Sequence, residues 1–120
     1  MVSRDARPAR GQIWLADLHP TRGSEQSGIR PALIFSSDRF QRGQNRLVFV
    51  LPMTSRIKNY PFHLTVQPAD SGLDTPGAIM IDQVRVVATE RLLNGHPIGQ
   101  LTETTMTNVE ELFRVLFDLP

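Results

Sequence analysis

The hydrophobic pattern of this chain changes period once, near Leu101, and no other feature constrains the fold as tightly. Before that point apolar residues come in short runs suited to strands. After it Met106, Val109, Leu112, Phe113 and Leu116 recur at helical spacing. Leu47 to Thr54 (LVFVLPMT) is the strongest strand, rich in β-branched and aromatic residues. Pro52 cannot donate to a ladder, so that strand is expected to end, bulge or run along an edge there, with Met53 and Thr54 at its terminus. Gln12 to Leu18 reads as another strand, and Pro31 to Ser36 as a short apolar strand buried on both faces. Phe62 to Val66 alternates, with Phe62, Leu64 and Val66 on one face and His63 on the polar one. Ala78 to Ile81 and Val84 to Ala88 are two strands, or one broken at Asp82-Gln83. Ser37 to Gly43 is a loop with room for one helical turn, Pro68 to Pro76 a turn-rich loop, and Asn94 to Pro97 a turn. Thr102 is the expected N-cap of the final helix, with Glu103 near its positive end.

Five or six strands followed by one helix of about four turns predict a mainly β (α+β) fold. The expected form is a curled antiparallel sheet or small open barrel with the helix packed at one end. A chain of 120 residues makes one domain. Residues 1–10 read as a flexible arm and 11–120 as the folded unit. With no cysteine, disulfides, thiolate metal sites and a cysteine nucleophile are excluded. No apolar run approaches the ~20 residues that span a bilayer, and the N-terminus lacks the apolar segment of a secretory signal. A soluble cytoplasmic protein is expected.

The net charge of +1 conceals a strong asymmetry. Residues 1–58 hold ten Lys or Arg against four Asp or Glu, a balance of +6, whereas residues 59–120 hold three against eight, a balance of −5. Between Asp38 and Lys58 stand Arg39, Arg42, Arg46, Arg56 and Lys58 and no acid. Such a distribution suits a polyanion-facing surface, or side chains scattered over a solvated one.

The chemistry narrows quickly. His19, His63 and His96 are far apart, and no spacing of ligand types suggests a metal site. There is no phosphate-cradling Gly-rich loop and no Gly-x-Ser-x-Gly. Two segments remain. Arg22 to Pro31 (RGSEQSGIRP) gathers hydroxyls, a carboxylate, an amide and guanidinium groups, and Arg30 stands where the chain enters a strand. A guanidinium is always charged and its planar fork suits phosphate oxygens. Pro52-Met53-Thr54-Ser55-Arg56 sets two hydroxyls beside basic residues at a strand end.

Taken together, Gly11 to Leu18 (GQIWLADL), Pro20 to Gln26 (PTRGSEQ), Arg30-Pro31, Pro52 to Ser55 (PMTS) and Asp82 to Arg85 (DQVR) strongly resemble the MazF/PemK family of toxin endoribonucleases. The resemblance implies a small SH3-like barrel of the CcdB/PemK type with a C-terminal helix, working as a homodimer. It implies metal-independent cleavage of single-stranded RNA without a cofactor, the ribose 2′-OH attacking the adjacent phosphorus to leave a 2′,3′-cyclic phosphate and a 5′-OH. By match to the family motif, Arg30 would stabilise the phosphorane and Thr54 would bind a phosphoryl oxygen. Glu25 would serve as base by analogy with some relatives. Asp82 matches an aspartate used in some members and is equally suited to partner Arg85. The positions where some relatives carry a histidine hold Ser24 and Ile29 here, so the motif itself supplies no imidazole. Ser24, Gln26, Ser55, Arg56, Lys58, Tyr60, Asp82, Gln83 and Arg85 would contact RNA, Tyr60 by stacking on a base and Arg56 and Lys58 through phosphates. The resemblance also implies a cognate antitoxin whose acidic, disordered C-terminal segment lies over the RNA groove. Trp14 belongs either to that interface or to the core. Two other functions suit the same fold. One is a CcdB-like gyrase poison, which depends on a Trp-Gly-Ile helix end where this chain reads Phe117-Asp118-Leu119-Pro120. The other is a catalytically silent RNA-binding barrel.

Overall fold

The structure, a computed structural model, describes residues 7–19, 23, 28–43 and 45–120. Its strands are β1 (Gln12–Asp17), β2 (Ile29–Ile34), β3 (Leu47–Thr54), β4 (His63–Val66), β5 (Gly77–Met80), β6 (Arg85–Ala88) and β7 (Gly99–Gln100). Two single-turn helices, α1 (Asp38–Gln41) and α2 (Pro68–Ser71), interrupt them, and α3 (Glu103–Leu116) closes the chain. The strands run in the order β4-β5-β3-β2-β1-β7, every pair antiparallel, with β6 beside the first half of β3. The sheet curls into a half-barrel, as the period change predicts.

The curl arises because β3 changes partner along one edge. Leu47 to Val50 pair with β6, and Met53 and Thr54 pair with β5. A 3-10 turn at Ile81–Gln83 separates those two partners, which settles the choice left open at Asp82-Gln83. Pro52 falls in the gap between them while opposing Ala32 on β2. The strand continues through its proline, and at Pro52 it has no neighbour on that side, the local edge expected of a residue that cannot donate. Beyond β6 the chain crosses back to β1, where Leu92 bridges Ala16 and the Leu93 N–H donates to the Leu15 carbonyl at 2.8 Å.

That closure separates two cores. Inside it lie Trp14, Ala16, Ile34, Val48, Val50, Val87 and Leu92, so Trp14 is a core residue; its indole N–H donates to Gln12 Oε1 at 3.0 Å. On the other face of the sheet Ile13, Leu33, Leu51, Met53 and Ile79 meet Met106 and Val109 of α3. The helix begins at its expected cap, with the Thr102 hydroxyl accepting from the Thr105 N–H. β2 starts two residues before the expected boundary, so Arg30 lies within the strand, not at its entrance.

Residues 8–10 differ from the loose arm expected of them. Pro8 is buried, the Ala9 N–H donates to Gln12 Oε1, and Arg10 pairs with Glu110 of α3 at 2.9 Å while lying over the Phe35 ring. The turn-rich stretch after β4 contains α2, fixed by a reciprocal cap between Gln67 and Asp70 and stopped by Gly72 in the left-handed conformation, φ 75°.

Candidate active site

The register of β2 against β3 pairs Ala32 with Pro52 and Leu33 with Leu51. Continued by two residues, it sets Arg30 opposite Thr54. Both side chains are partly exposed at the same end of the sheet, and both line two adjoining cavities of about 360 Å³ each. The cavities share Arg30, Thr54 and Ser55, so together they form one groove with those residues at its middle. One arm of the groove is polar and basic, walled by Arg56, Lys58, Tyr60 and His63 over Met80. The other runs between Ile29 and Pro31 on one side and Leu73, Thr75, Pro76 and Gly77 on the other.

The end of β3 is tightly held. Thr54 Oγ1 accepts from the Arg56 N–H at 3.1 Å, which fixes the hydroxyl and leaves its hydrogen to donate. Gly77, packed against that end, has no room for a side chain: a Cβ there would stand 2.9 Å from the Thr54 carbonyl oxygen. Tyr60 is half exposed, and the Lys58 ammonium lies 5.6 Å from its ring centroid. An aromatic face beside two cations is a usual receptor for an unpaired base and its phosphates.

His63 departs from its expected place on a solvated face. Its side chain is only 9% exposed, its ring centre stands 5.0 Å from that of Tyr60, and its Nε2 lies 3.4 Å from Asp82 Oδ1. The reason is that β4 lies at the margin of the sheet, where the groove wall covers the face that alternation would assign to solvent. Its Nδ1 is buried and meets no hydrogen-bonding partner among the described residues. The only sequence signal for this histidine was its place two residues after Pro61 in the segment that follows Thr54.

Asp82 thus faces His63 across the groove wall, and that pairing stands where the sequence offered Arg85 as its partner. Arg85 lies opposite Val50, well back along β3, and its Nη1 donates to the Leu18 carbonyl at 3.1 Å. Its guanidinium braces the exit of β1 and does not line the groove, contrary to the RNA contact expected of it. Arg91 braces the same segment through the carbonyls of Asp17 and His19. The Asp17 carboxyl is held below the ordinary carboxylate range, chiefly by the hydrogen bond it accepts from the His19 backbone N–H at 3.0 Å. Gln83 is half-buried in the turn between β5 and β6, off the groove lining. Ser24, Glu25 and Gln26 lie outside the described residues. Among the described residues no three His, Asp or Glu side chains gather as metal ligands, and no helix is long and apolar enough to cross a membrane.

The basic stretch read from the sequence divides in space. Arg56 and Lys58 flank the groove, whereas Arg42 and Arg46 lie at the far end of the β2–β3 hairpin, where they line a separate cavity of about 540 Å³ with Arg7 and Asp38.

A curled sheet with a capping helix forms a small half-barrel, with a basic groove centred on the opposed Arg30 and Thr54. Residues 9–117 match the family described as PemK-like, MazF-like toxin of type II toxin-antitoxin system, and the chain belongs to that family. It is 38% identical over 115 residues to endoribonuclease MazF9 of Mycobacterium tuberculosis, covering 92% of this chain and 96% of that one. Endoribonuclease MazF of Staphylococcus saprophyticus is 36% identical over 85 residues, 69% of this chain and 70% of its own. Among solved structures, MazF from Deinococcus radiodurans superposes with a TM-score of 0.82 at 26% identity, covering 96% of this chain and all of that one. A MazE-MazF structure from the same organism superposes at 0.76 with 27% identity, over 97% of this chain and 100% of the other.

Proposed function

We propose that this chain is a toxin endoribonuclease that cuts single-stranded RNA by 2′-OH attack on the adjacent phosphorus, without a metal ion or cofactor, leaving a 2′,3′-cyclic phosphate and a 5′-OH. The observation that carries the reading is the opposition of Arg30 and Thr54 at the middle of one groove. A phosphodiester centred there has guanidinium charge on one side and a hydroxyl donor on the other, the arrangement that favours the extra negative charge of a phosphorane. The two arms of the groove leave room for the nucleotides on either side of the cut, with Tyr60 as the stacking face and Arg56 and Lys58 as phosphate contacts. Ser55 lines the groove as an RNA contact in this reading, and Ser24, Glu25 and Gln26 keep the roles that the family motif implies.

The physiological partners follow from the same surface. A cognate antitoxin with an acidic, disordered segment competes for a basic groove because a flexible polyanionic peptide presents the same charge as RNA. The toxin works as a homodimer, a reading supported by the exposed apolar pair Phe49 and Val86, which face each other across β3 and β6.

The test is incubation of the purified protein with a long unstructured RNA in EDTA, followed by mapping of the new ends. Discrete cuts with 5′-OH termini are expected. A mobility shift with intact RNA, or trapping of gyrase without cuts, would replace this reading with a silent RNA-binding barrel or a gyrase poison.

A further inference from the structure

We propose that His63 is the general base of the cleavage site, taking the 2′-hydroxyl proton on Nδ1 while Asp82 holds the ring through Nε2. The inference rests on the nuclease reading and names a group that the family motif of this chain does not supply. The imidazole lines the same groove arm as Arg30 and Thr54. Its Nε2 faces the Asp82 carboxylate at 3.4 Å, which favours the tautomer with hydrogen on Nε2 and a lone pair on Nδ1. That lone pair is buried and meets no donor among the described residues. A buried acceptor left unpaired in the free protein costs stability, and such groups are retained where a ligand or a reaction uses them. The complement of a lone pair is a hydroxyl hydrogen, and the proposed reaction begins by removing one.

The groove residues, and Asp82 beside them, suit this role. Arg30 comes from β2, Thr54 from β3, Arg56, Lys58 and Tyr60 from the loop before β4, and Asp82 from the turn after β5. Asp82 is the one anion in this set; the cations face the phosphate, and the carboxylate faces the imidazole Nε2. Because Nδ1 is buried in the free protein, the proposed step requires His63 or the half-exposed Tyr60 ring packed on it to shift as RNA binds. In the step itself the 2′-O–H bond breaks with its proton passing to Nδ1. The oxygen electron pair forms the O2′–P bond, the P–O5′ bond breaks with its pair on O5′, and water protonates that oxygen. The imidazolium then returns its proton to solvent, so the transesterification is balanced.

The experiment compares the full-length wild type with His63→Gln, Glu25→Gln and Arg30→Ala on an oligoribonucleotide spanning one mapped cut. Single-turnover rates are read across pH, and affinity is read with the 2′-deoxy analogue at the cut. His63→Gln is expected to bind the analogue as the wild type does, to cleave about 10²- to 10⁴-fold more slowly, and to lose the fall in rate that the wild type shows as pH drops and the base is protonated. A slower variant that keeps that acid limb would assign His63 a structural role only and overturn the proposal. So would loss of the limb in Glu25→Gln but not in His63→Gln. Full activity in His63→Gln beside an inactive Arg30→Ala overturns the proposal and leaves the nuclease reading intact, whereas an uncut RNA with wild type overturns both. If His63→Gln does not fold, ¹⁵N-histidine NMR of Arg30→Ala gives the answer. The His63 Nδ1 resonance is expected to move on binding the ribose substrate and to stay in place with the 2′-deoxy analogue; equal responses to both defeat the assignment.

Discussion

Arg30 and Thr54 are 24 positions apart in sequence and directly opposed in the extended β2–β3 register. Each arrives with its backbone already ordered by the sheet, so little conformational freedom remains to be lost when a phosphate binds between them. Arg30→Ala removes the fixed cation from the developing charge and is expected to lower single-turnover cleavage by ~10²- to 10³-fold, as for the loss of one oxyanion donor. A normal rate in that variant would remove the assignment. At the exit of β1, Asp17 carries a different expectation. Its carboxyl is lowered in the folded state, first by the His19 backbone N–H, so its contribution to stability is present above the unfolded pKa and disappears as pH falls through the lower folded value. Because the pair is exposed the effect is small; thermal melts of Asp17→Asn should lie below those of the wild type near neutrality and converge with them in acid.

At the scale of elements, the site depends on where β3 ends. Its last two residues are paired with β5, and Gly77 lets the two backbones approach more closely than any side chain would allow. Gly77→Ala forces β5 and Thr54 apart and is expected to cost ~1–3 kcal/mol of stability as overpacking. It should lower the cleavage rate as well, although residue 77 carries no side chain of its own to the reaction. Denaturant melts and cleavage rates measured together check this, and a variant as stable and active as the wild type would show that the approach is not needed. Sequence patterns located β3 over its full length, because a run of β-branched residues is a local signal. They misjudged His63 because what covers each face of a strand is decided by elements distant in the chain.

At the scale of the whole molecule, the described cations of the basic stretch divide between opposite ends of the β2–β3 hairpin, Arg42 and Arg46 at one and Arg56 and Lys58 at the other. Only the end with Arg56 and Lys58 borders the groove, so RNA affinity should respond unequally to the loss of these cations. Arg56→Ala and Lys58→Ala are expected to weaken binding and each to reduce the slope of log affinity against log salt by about 0.7, the single-strand value for one phosphate contact. Arg42→Ala should leave the slope for a short substrate unchanged. Equal effects at both ends, measured by salt titration, would mean that RNA runs the length of the hairpin.

The order of strands and helix, the N-cap of α3, and the resemblance that singled out Arg30 and Thr54 could all be read from the linear chain, because periodicity, capping and motif spacing are properties of neighbouring residues. The pairing of His63 with Asp82, the bracing role of Arg85, the burial of Trp14 and the separation of the arginines could not. Each depends on which strands the curl of the sheet brings side by side, and that curl is set by a break in the partners of β3 that only long-range pairing creates.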